Sequence, residues 1–109
     1  MPRSEFVVWG SKGPLPACEA IGYLPGYHVE SVRKSDKHHL TGKPTELMRT
    51  LCRICPPGGV ILDPFAGSGT TGVAALREGR RFIGIEMTAE NAAVARRRLD
   101  DANDLPIAA

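Results

Sequence analysis

The chain has 109 residues, of which 42% are hydrophobic and 24% are charged, which predicts one small soluble domain and excludes a disordered chain. The net charge of +2 permits an anionic partner but is weaker than the charge typical of nucleic-acid-binding domains. The apolar runs fall far below the roughly 20 residues that span a bilayer, and the 3 cysteines show no disulfide framework, so we expect a cytoplasmic protein with no membrane partner.

The first predicted unit, residues 1–42, is irregular apart from one short strand. Residues 6–9 are all β-branched or aromatic, which predicts a strand that ends at Gly10. From there to Gly42 the chain is interrupted by prolines and glycines, and a loop of that length is usually functional or mobile. Basic residues and histidines cluster near the end of this unit, at Arg33, Lys34, Lys37, His38 and His39.

The second predicted unit, residues 43–109, begins with a helix. Pro44 suits the first helical turn, where its missing N–H costs nothing, and Glu46 suits the positive end of the helix. The prolines and glycines at 56–59 end it. Intervals of four and three residues place its apolar side chains on one face: Leu47, Leu51 and Ile54.

The remaining elements predict a parallel sheet. Residues 60–62 form a short, continuously apolar run, as expected for a strand buried on both faces. A glycine-rich turn, a helix that ends at Gly79, a strand over residues 81–86 and a helix capped by Thr88 follow in order. This alternation predicts an α/β fold, a partial doubly wound, Rossmann-like sheet.

The glycine-rich turn and a later glutamate together predict a site for an adenosine-containing cofactor. Residues 67–72 match the pattern G-x-G-x-x-G between a strand and a helix, where the backbone turns sharply and presents free N–H groups. Glu86 follows Gly67 by 19 residues, at the end of the next strand, where a carboxylate can accept hydrogen bonds from ribose hydroxyls. The alternative is a tight turn beside a surface glutamate.

The residues between the strand and the first glycine favour one cofactor. Asp63 ends the strand, and a carboxylate there is unfavourable beside the pyrophosphate of a nicotinamide or flavin dinucleotide. The same carboxylate attracts the ammonium group of a methionine moiety. The sequence therefore predicts S-adenosyl-L-methionine, and a nucleotide-binding module is the alternative.

Three segments resemble motifs of the DNA amino-methyltransferases, which methylate the exocyclic amine of adenine or cytosine. Residues 63–71 are similar to the cofactor motif of that family, and residues 84–87 are similar to the motif after it. His39 with residues 43–48 is similar to the motif that lies just before the cofactor motif in the subgroup with permuted order. The resemblance implies that Phe65 and Met87 pack on the cofactor and that residues 43–47 close over its methionine end. It implies these cofactor-binding residues: His39, Lys43, Pro44, Leu47, Asp63, Pro64, Phe65, Ala66, Gly67, Ser68, Gly69, Thr70, Thr71, Glu86 and Met87.

The resemblance also implies a double-stranded DNA substrate with a flipped base, in a restriction-modification setting. Arg33, Lys34 and Lys37 are predicted either to contact DNA phosphates or to form a charged surface without a partner. The catalytic tetrapeptide of the family, Asp, Asn or Ser followed by Pro-Pro and an aromatic residue, does not occur in the sequence. No catalytic residue is therefore assigned.

We therefore expect the carboxyl-terminal half of such an enzyme, as a non-catalytic remnant or as one part of a split enzyme completed by another chain. The incomplete sheet has an unpaired edge, which predicts pairing with that chain or self-association. Two clusters are assigned to packing and solubility: Cys52 with Cys55 as core cysteines rather than a redox or zinc site, and Arg96, Arg97 and Arg98 as an exposed face.

Overall fold

A computed structural model describes residues 5–14, residue 29 and residues 43–103. The elements in chain order are α1 (Thr45–Cys52), β1 (Val60–Asp63), α2 (Thr70–Arg77), β2 (Arg81–Gly84) and α3 (Ala89–Asn103). The predicted order of strand, glycine-rich turn, helix, strand and helix is confirmed. None of the described helices is long and apolar enough to cross a membrane.

The two strands lie side by side in parallel, with α2 as the connection between them. Leu62 pairs with Ile83, and Asp63 pairs with Gly84. The pairing continues beyond the strands, because the Ile85 N–H donates to the Asp63 carbonyl and the Ala66 N–H donates to the Ile85 carbonyl, each at 2.9 Å. The glycine-rich turn and the end of β2 are thereby held at one edge of the sheet.

The core lies between the helices and one face of the sheet. Ala74 and Ala75 of α2 are fully buried and pack with Cys52 of α1, while Ile61 and Phe82 contact this cluster from the strands. Burial raises the pKa of the Cys52 thiol to about 11, so this thiol is neutral and unreactive near pH 7. The core assignment of Cys52 is confirmed, and Cys55 is half-buried.

Gly72 lets three elements meet closely at the centre of α2. A Cβ at this position would lie 2.6 Å from Leu99 Cδ2 of α3 and 2.6 Å from Phe82 Cε2 of β2. These distances are well inside van der Waals contact, so a side chain at position 72 would require Leu99 or Phe82 to move.

Charged side chains hold the ends of α1 and α2 together. Glu78, just after α2, accepts hydrogen bonds from Arg49 Nε at 3.0 Å and from Arg53 Nη2 at 3.2 Å. Burial opposes ionisation of Glu78, but these two guanidinium groups outweigh it and lower the pKa of the carboxyl. Arg80 is buried, and its guanidinium donates to the Cys55 carbonyl. The turn after α1 is thus fixed to the start of β2.

The prediction that β1 is buried on both faces is wrong. Four apolar side chains are between 46% and 59% exposed: Val60 and Leu62 of β1, with Ile83 and Ile85 in and after β2. Their residues alternate with Ile61 and Phe82, which face the core. Within the described part of the chain the helices cover only one face, so these four residues form a bare sheet face.

Two predicted details of the first half of the chain differ from the structure. Residues 6–9 are exposed and form no strand, because a strand needs a neighbouring backbone and the described sheet pairs β1 only with β2. Helix α1 ends at Cys52, and Ile54 lies beyond it, exposed. The N–H groups of residues 53–55 instead donate to the carbonyls of residues 50–52, an i to i−3 pattern that tightens the turn after the helix.

The predicted division at residues 42 and 43 stays a prediction. Of the first unit, the structure describes only residues 5–14 and residue 29. Among the described residues, an ion pair between exposed Lys43 and Glu5 crosses the division.

Candidate cofactor site

The glycine-rich loop, residues 63–71, leaves β1 through two tight turns. Asp63 Oδ1 accepts a hydrogen bond from the Phe65 N–H at 3.0 Å, and the Gly69 N–H donates to the Ala66 carbonyl at 2.9 Å. Gly67 and Gly69 have φ of 56° and 87°, a region that other residues adopt only with strain. The loop therefore needs these two glycines to reverse direction between the strand and α2.

Helix α2 begins directly at the loop. Gly69 is its N-cap and supplies no side-chain hydrogen bond, and the first N–H groups of a helix have no acceptor within the helix. The positive end of the helix dipole adds to these donors. The start of α2 thus places hydrogen-bond donors at the carboxyl edge of the sheet.

Glu86 lies just after β2 and its carboxylate binds the glycine-rich loop. Its Oε1 accepts a hydrogen bond from the Gly67 N–H at 3.0 Å, and its Oε2 accepts from the Thr88 N–H at 2.9 Å and the Thr88 hydroxyl at 2.8 Å. The Thr88 N–H, then the Thr88 hydroxyl, hold the pKa of the Glu86 carboxyl below its usual range. Glu86 is therefore an ionised carboxylate with a fixed orientation beside the loop.

Large apolar side chains stand at the edge of this polar site. Phe65 is 88% exposed and Met87 is 95% exposed. Phe65 precedes Ala66, and Met87 follows Glu86, so both flank the segments that the sheet pairing holds together. Exposed apolar residues beside fixed polar groups are typical of a ligand site.

Three predicted cofactor residues lie at or just before the start of α1. Lys43 pairs with Glu5, the Pro44 carbonyl accepts from the Met48 N–H at 3.2 Å, and Leu47 is half-buried. Helix α1 packs against α2, the helix that begins at the loop. The closing of residues 43–47 over a bound methionine group stays a prediction.

The other predicted site residues fall into two groups. Asp63 and Glu86 each accept a hydrogen bond from a loop N–H, that of Phe65 and that of Gly67, and their roles in cofactor binding stay predictions. His39, Arg33, Lys34 and Lys37 lie outside the described residues, and their roles stay predictions.

Arg98 of α3 contacts the loop, although its sequence position suggested an exposed face. Its Nη1 donates to the Ser68 carbonyl at 2.9 Å and approaches the hydroxyl oxygens of Ser68 and Thr70, each at 3.1 Å. Arg96 and Arg97 are exposed, as predicted. The helical spacing of Arg98 could have predicted this contact, because Arg98 lies three residues after Ala95 and four before Ala102, and both alanines are buried.

The family model N6_N4_Mtase, described as DNA methylase, matches residues 7–97 of this chain. The chain belongs to the DNA amino-methyltransferase family. It is 46% identical to the Type II methyltransferase M2.DpnII of Streptococcus pneumoniae over 80 residues, and this match covers 72% of this chain and 30% of that protein. It is 47% identical over 68 residues to the DNA adenine methyltransferase YhdJ of Escherichia coli (strain K12), 62% of this chain and 23% of that protein.

Solved structures of methyltransferases share this fold. The complex of M1.HpyAVI with S-adenosyl-L-methionine superposes on 66% of this chain and 36% of that protein, with a TM-score of 0.60 and 38% identity. The predicted fold class, an incomplete Rossmann-like sheet of the methyltransferase type, is confirmed. The family member described here spans about a third of the length of that structure.

Proposed function

We propose that this chain is the S-adenosyl-L-methionine-binding portion of a DNA methyltransferase that acts on the exocyclic amine of adenine or cytosine. The observation that carries the proposal is the pair of carboxylates, Asp63 and Glu86, at one edge of the sheet with the glycine-rich loop between them. Membership of the family and the M1.HpyAVI complex support the same cofactor.

Charge favours this cofactor over a dinucleotide. At neutral pH S-adenosyl-L-methionine carries a sulfonium and an ammonium group against one carboxylate, whereas a dinucleotide brings a pyrophosphate. The Asp63 carboxylate beside the loop attracts the ammonium group of the first and repels the pyrophosphate of the second. We assign Asp63 to the ammonium group and Glu86 to the ribose hydroxyls, with Phe65 and Met87 beside the adenine ring.

The residues of the chain bind and orient, and the cofactor when bound supplies the methyl group. Because Glu86 is already fixed by Gly67 and Thr88, it is oriented before any ligand arrives. The loop N–H groups are held in the same way by the turns of residues 63–69.

We further propose that a Pro-Pro-aromatic segment outside these 109 residues supplies the amine-binding chemistry, and that it reaches this chain through the bare sheet face. Parallel sheets are normally covered on both faces, and here Val60, Leu62, Ile83 and Ile85 are uncovered. A subunit that keeps the fold and pairs with a partner without catalysing is the second candidate, which the same bare face favours.

The free thiols of Cys52 and Cys55 support the cytoplasmic location that we propose, since the cytoplasm keeps thiols reduced. Double-stranded DNA as substrate, the phosphate contacts of Arg33, Lys34 and Lys37, and a place in restriction-modification belong to the same proposal.

Titration calorimetry tests the cofactor assignment. The full chain is titrated with S-adenosyl-L-methionine and, separately, with a nicotinamide dinucleotide. We expect binding of the first and a much weaker response to the second, whereas tighter binding of the dinucleotide would establish a nucleotide-binding module instead. Asp63→Asn should weaken binding, and Asp100→Asn, an exposed change on α3, is the matched control.

Transfer of a labelled methyl group to DNA tests the second half of the proposal. We expect no transfer by the chain alone and transfer when a methyltransferase polypeptide that carries the Pro-Pro-aromatic motif is added. Transfer by the chain alone would refute the assignment of catalysis to another segment. Cofactor binding without transfer in any mixture would favour the non-catalytic subunit.

A further inference from the structure

We propose that Arg98 is a positioning residue that holds the glycine-rich loop in its cofactor-binding shape from the far helix. The inference rests on the proposed cofactor site and adds a residue to it. One guanidinium nitrogen, Nη1, lies within 3.1 Å of three oxygens on two loop residues, Ser68 and Thr70. Such contacts from a charged donor are stronger than those from a neutral one.

The contact between α3 and the loop covers three consecutive loop residues. Ser68 is 6% exposed and Thr70 is 8% exposed. Between them, a Cβ at Gly69 would lie 3.0 Å from the Cβ of Ala95. Ala95 and Arg98 are neighbours on one face of α3, so one helical turn both packs against the loop and bonds to it.

Loss of the guanidinium group would leave the loop under-bonded. The Ser68 carbonyl belongs to a buried residue, and a buried acceptor that loses its donor keeps the full cost of having left water. All buried side-chain polar atoms among the described residues have a hydrogen-bond partner. Removing the Arg98 guanidinium group would take the donor away from oxygen atoms of Ser68 and Thr70.

The turns within the loop fix only part of its shape. Gly67 and Gly69 both lie in the left-handed region, and glycine reaches many other conformations at little cost. Two side chains hold the residues around these glycines. Glu86, just after β2, accepts the hydrogen bond of the Gly67 N–H, and Arg98 bonds to the residues on either side of Gly69. Arg98 therefore acts on the cofactor through the loop, as the second of two anchors.

Four arginine variants of the full chain separate positioning from simple stability. Arg98→Met removes every donor but keeps the length of the stem, and Arg98→Lys keeps a charge and an ammonium group with three N–H donors. Arg96→Met and Arg97→Met are matched controls, since both residues are exposed on the same helix. Each variant is measured by amide hydrogen exchange without ligand and by calorimetry with S-adenosyl-L-methionine.

The protected amides to follow are those of Gly67 and Gly69. In Arg98→Met we expect their exchange to accelerate about tenfold while the amides of β1 and β2 change little, and the dissociation constant to rise about tenfold, the size expected for one charge-assisted hydrogen bond. Arg98→Lys should fall between wild type and Arg98→Met, and the two controls should match wild type. Unchanged exchange and affinity in Arg98→Met would overturn the proposal, as would equal effects in the controls.

A second variant covers the case in which Arg98→Met does not fold. Thr70→Val removes one acceptor of the guanidinium group and keeps the volume of the side chain. We expect it to accelerate exchange at Gly69 and to weaken binding less than Arg98→Met does, and unchanged exchange at Gly69 would count against the anchor. If the wild-type chain binds no cofactor, the proposed function fails, while the exchange data still decide whether Arg98 anchors the loop.

Discussion

Glu86 accepts hydrogen bonds on both carboxylate oxygens, one set from the loop and the other from the residue before α3. A glutamine cannot replace it, because its NH₂ group would face either the Gly67 N–H or the Thr88 N–H, a donor against a donor. The ionised state is therefore part of the structure at this residue, and the same charge is the one that we assign to ribose binding.

We expect Glu86→Gln to weaken S-adenosyl-L-methionine binding about tenfold, the effect of losing one hydrogen bond to a charged group. Calorimetry at pH 7 measures this. Glu90→Gln, an exposed change in the first turn of α3, is the control and should bind as wild type does. Equal affinity in Glu86→Gln and wild type would remove Glu86 from the site.

The lowered pKa of Glu86 sets the direction of the response to acid. Since the folded pKa lies below the usual value of 4.5, the contribution of this carboxylate to stability is complete above pH 4.5 and is lost as the pH falls through the folded pKa. NMR titration of the Glu86 side chain should give a midpoint below 4.5. A midpoint above 4.5 would contradict the hydrogen bonds described here.

At the scale of elements, small residues allow the helices and the sheet to pack closely. Ala74 and Ala75 are fully buried, and Gly72 lies where Phe82 and Leu99 approach the α2 backbone. The short helix α2 thus packs against four other elements, α1, α3, β1 and β2, and this packing fixes the position of the loop at its N-terminus.

We predict that Gly72→Ala destabilises the fold by about 1–3 kcal/mol, the usual cost of overpacking a core. Helix propensity alone would favour alanine over glycine by roughly 1 kcal/mol. The sign of the change in the free energy of unfolding therefore shows whether overpacking or helix propensity is the larger effect. Urea unfolding monitored by circular dichroism measures it. Gly10→Ala, where a Cβ would meet nothing within 4 Å, is the control, and a stabilised Gly72→Ala variant would refute the close approach.

The sequence was sufficient for what depends on neighbours along the chain. The order of elements and the meeting of Glu86 with Gly67 followed from apolar runs, glycine spacing and the shared edge of parallel strands. The end of α1 before Ile54, the inward position of Arg98 and the exposure of Leu62 depend on which elements pack against which. A pattern of apolar and charged residues does not specify those partners.

At the scale of the whole molecule, one face of the sheet carries the helices and the other carries none among the described residues. Leu62 and Ile83 are cross-strand partners on that open face, with Val60 and Ile85 beside them. The face opposite the core is therefore apolar, and it belongs to the two strands that lead to Asp63 and Glu86. A polypeptide that covers this bare sheet face would therefore lie close to the cofactor site.

We predict that the chain associates through this face, with itself or with a polypeptide that bears the catalytic motif. Leu62→Lys combined with Ile83→Lys should reduce the associated fraction in sedimentation experiments, because a charged side chain cannot be buried there without a partner. Since both residues are exposed in the single chain, the melting temperature of the monomer should change little. Ala93→Lys, an exposed change on α3, should leave association intact. A wild-type chain that sediments as a monomer, melts sharply at high temperature and gains no DNA methylation from any added polypeptide would show that this face needs no cover.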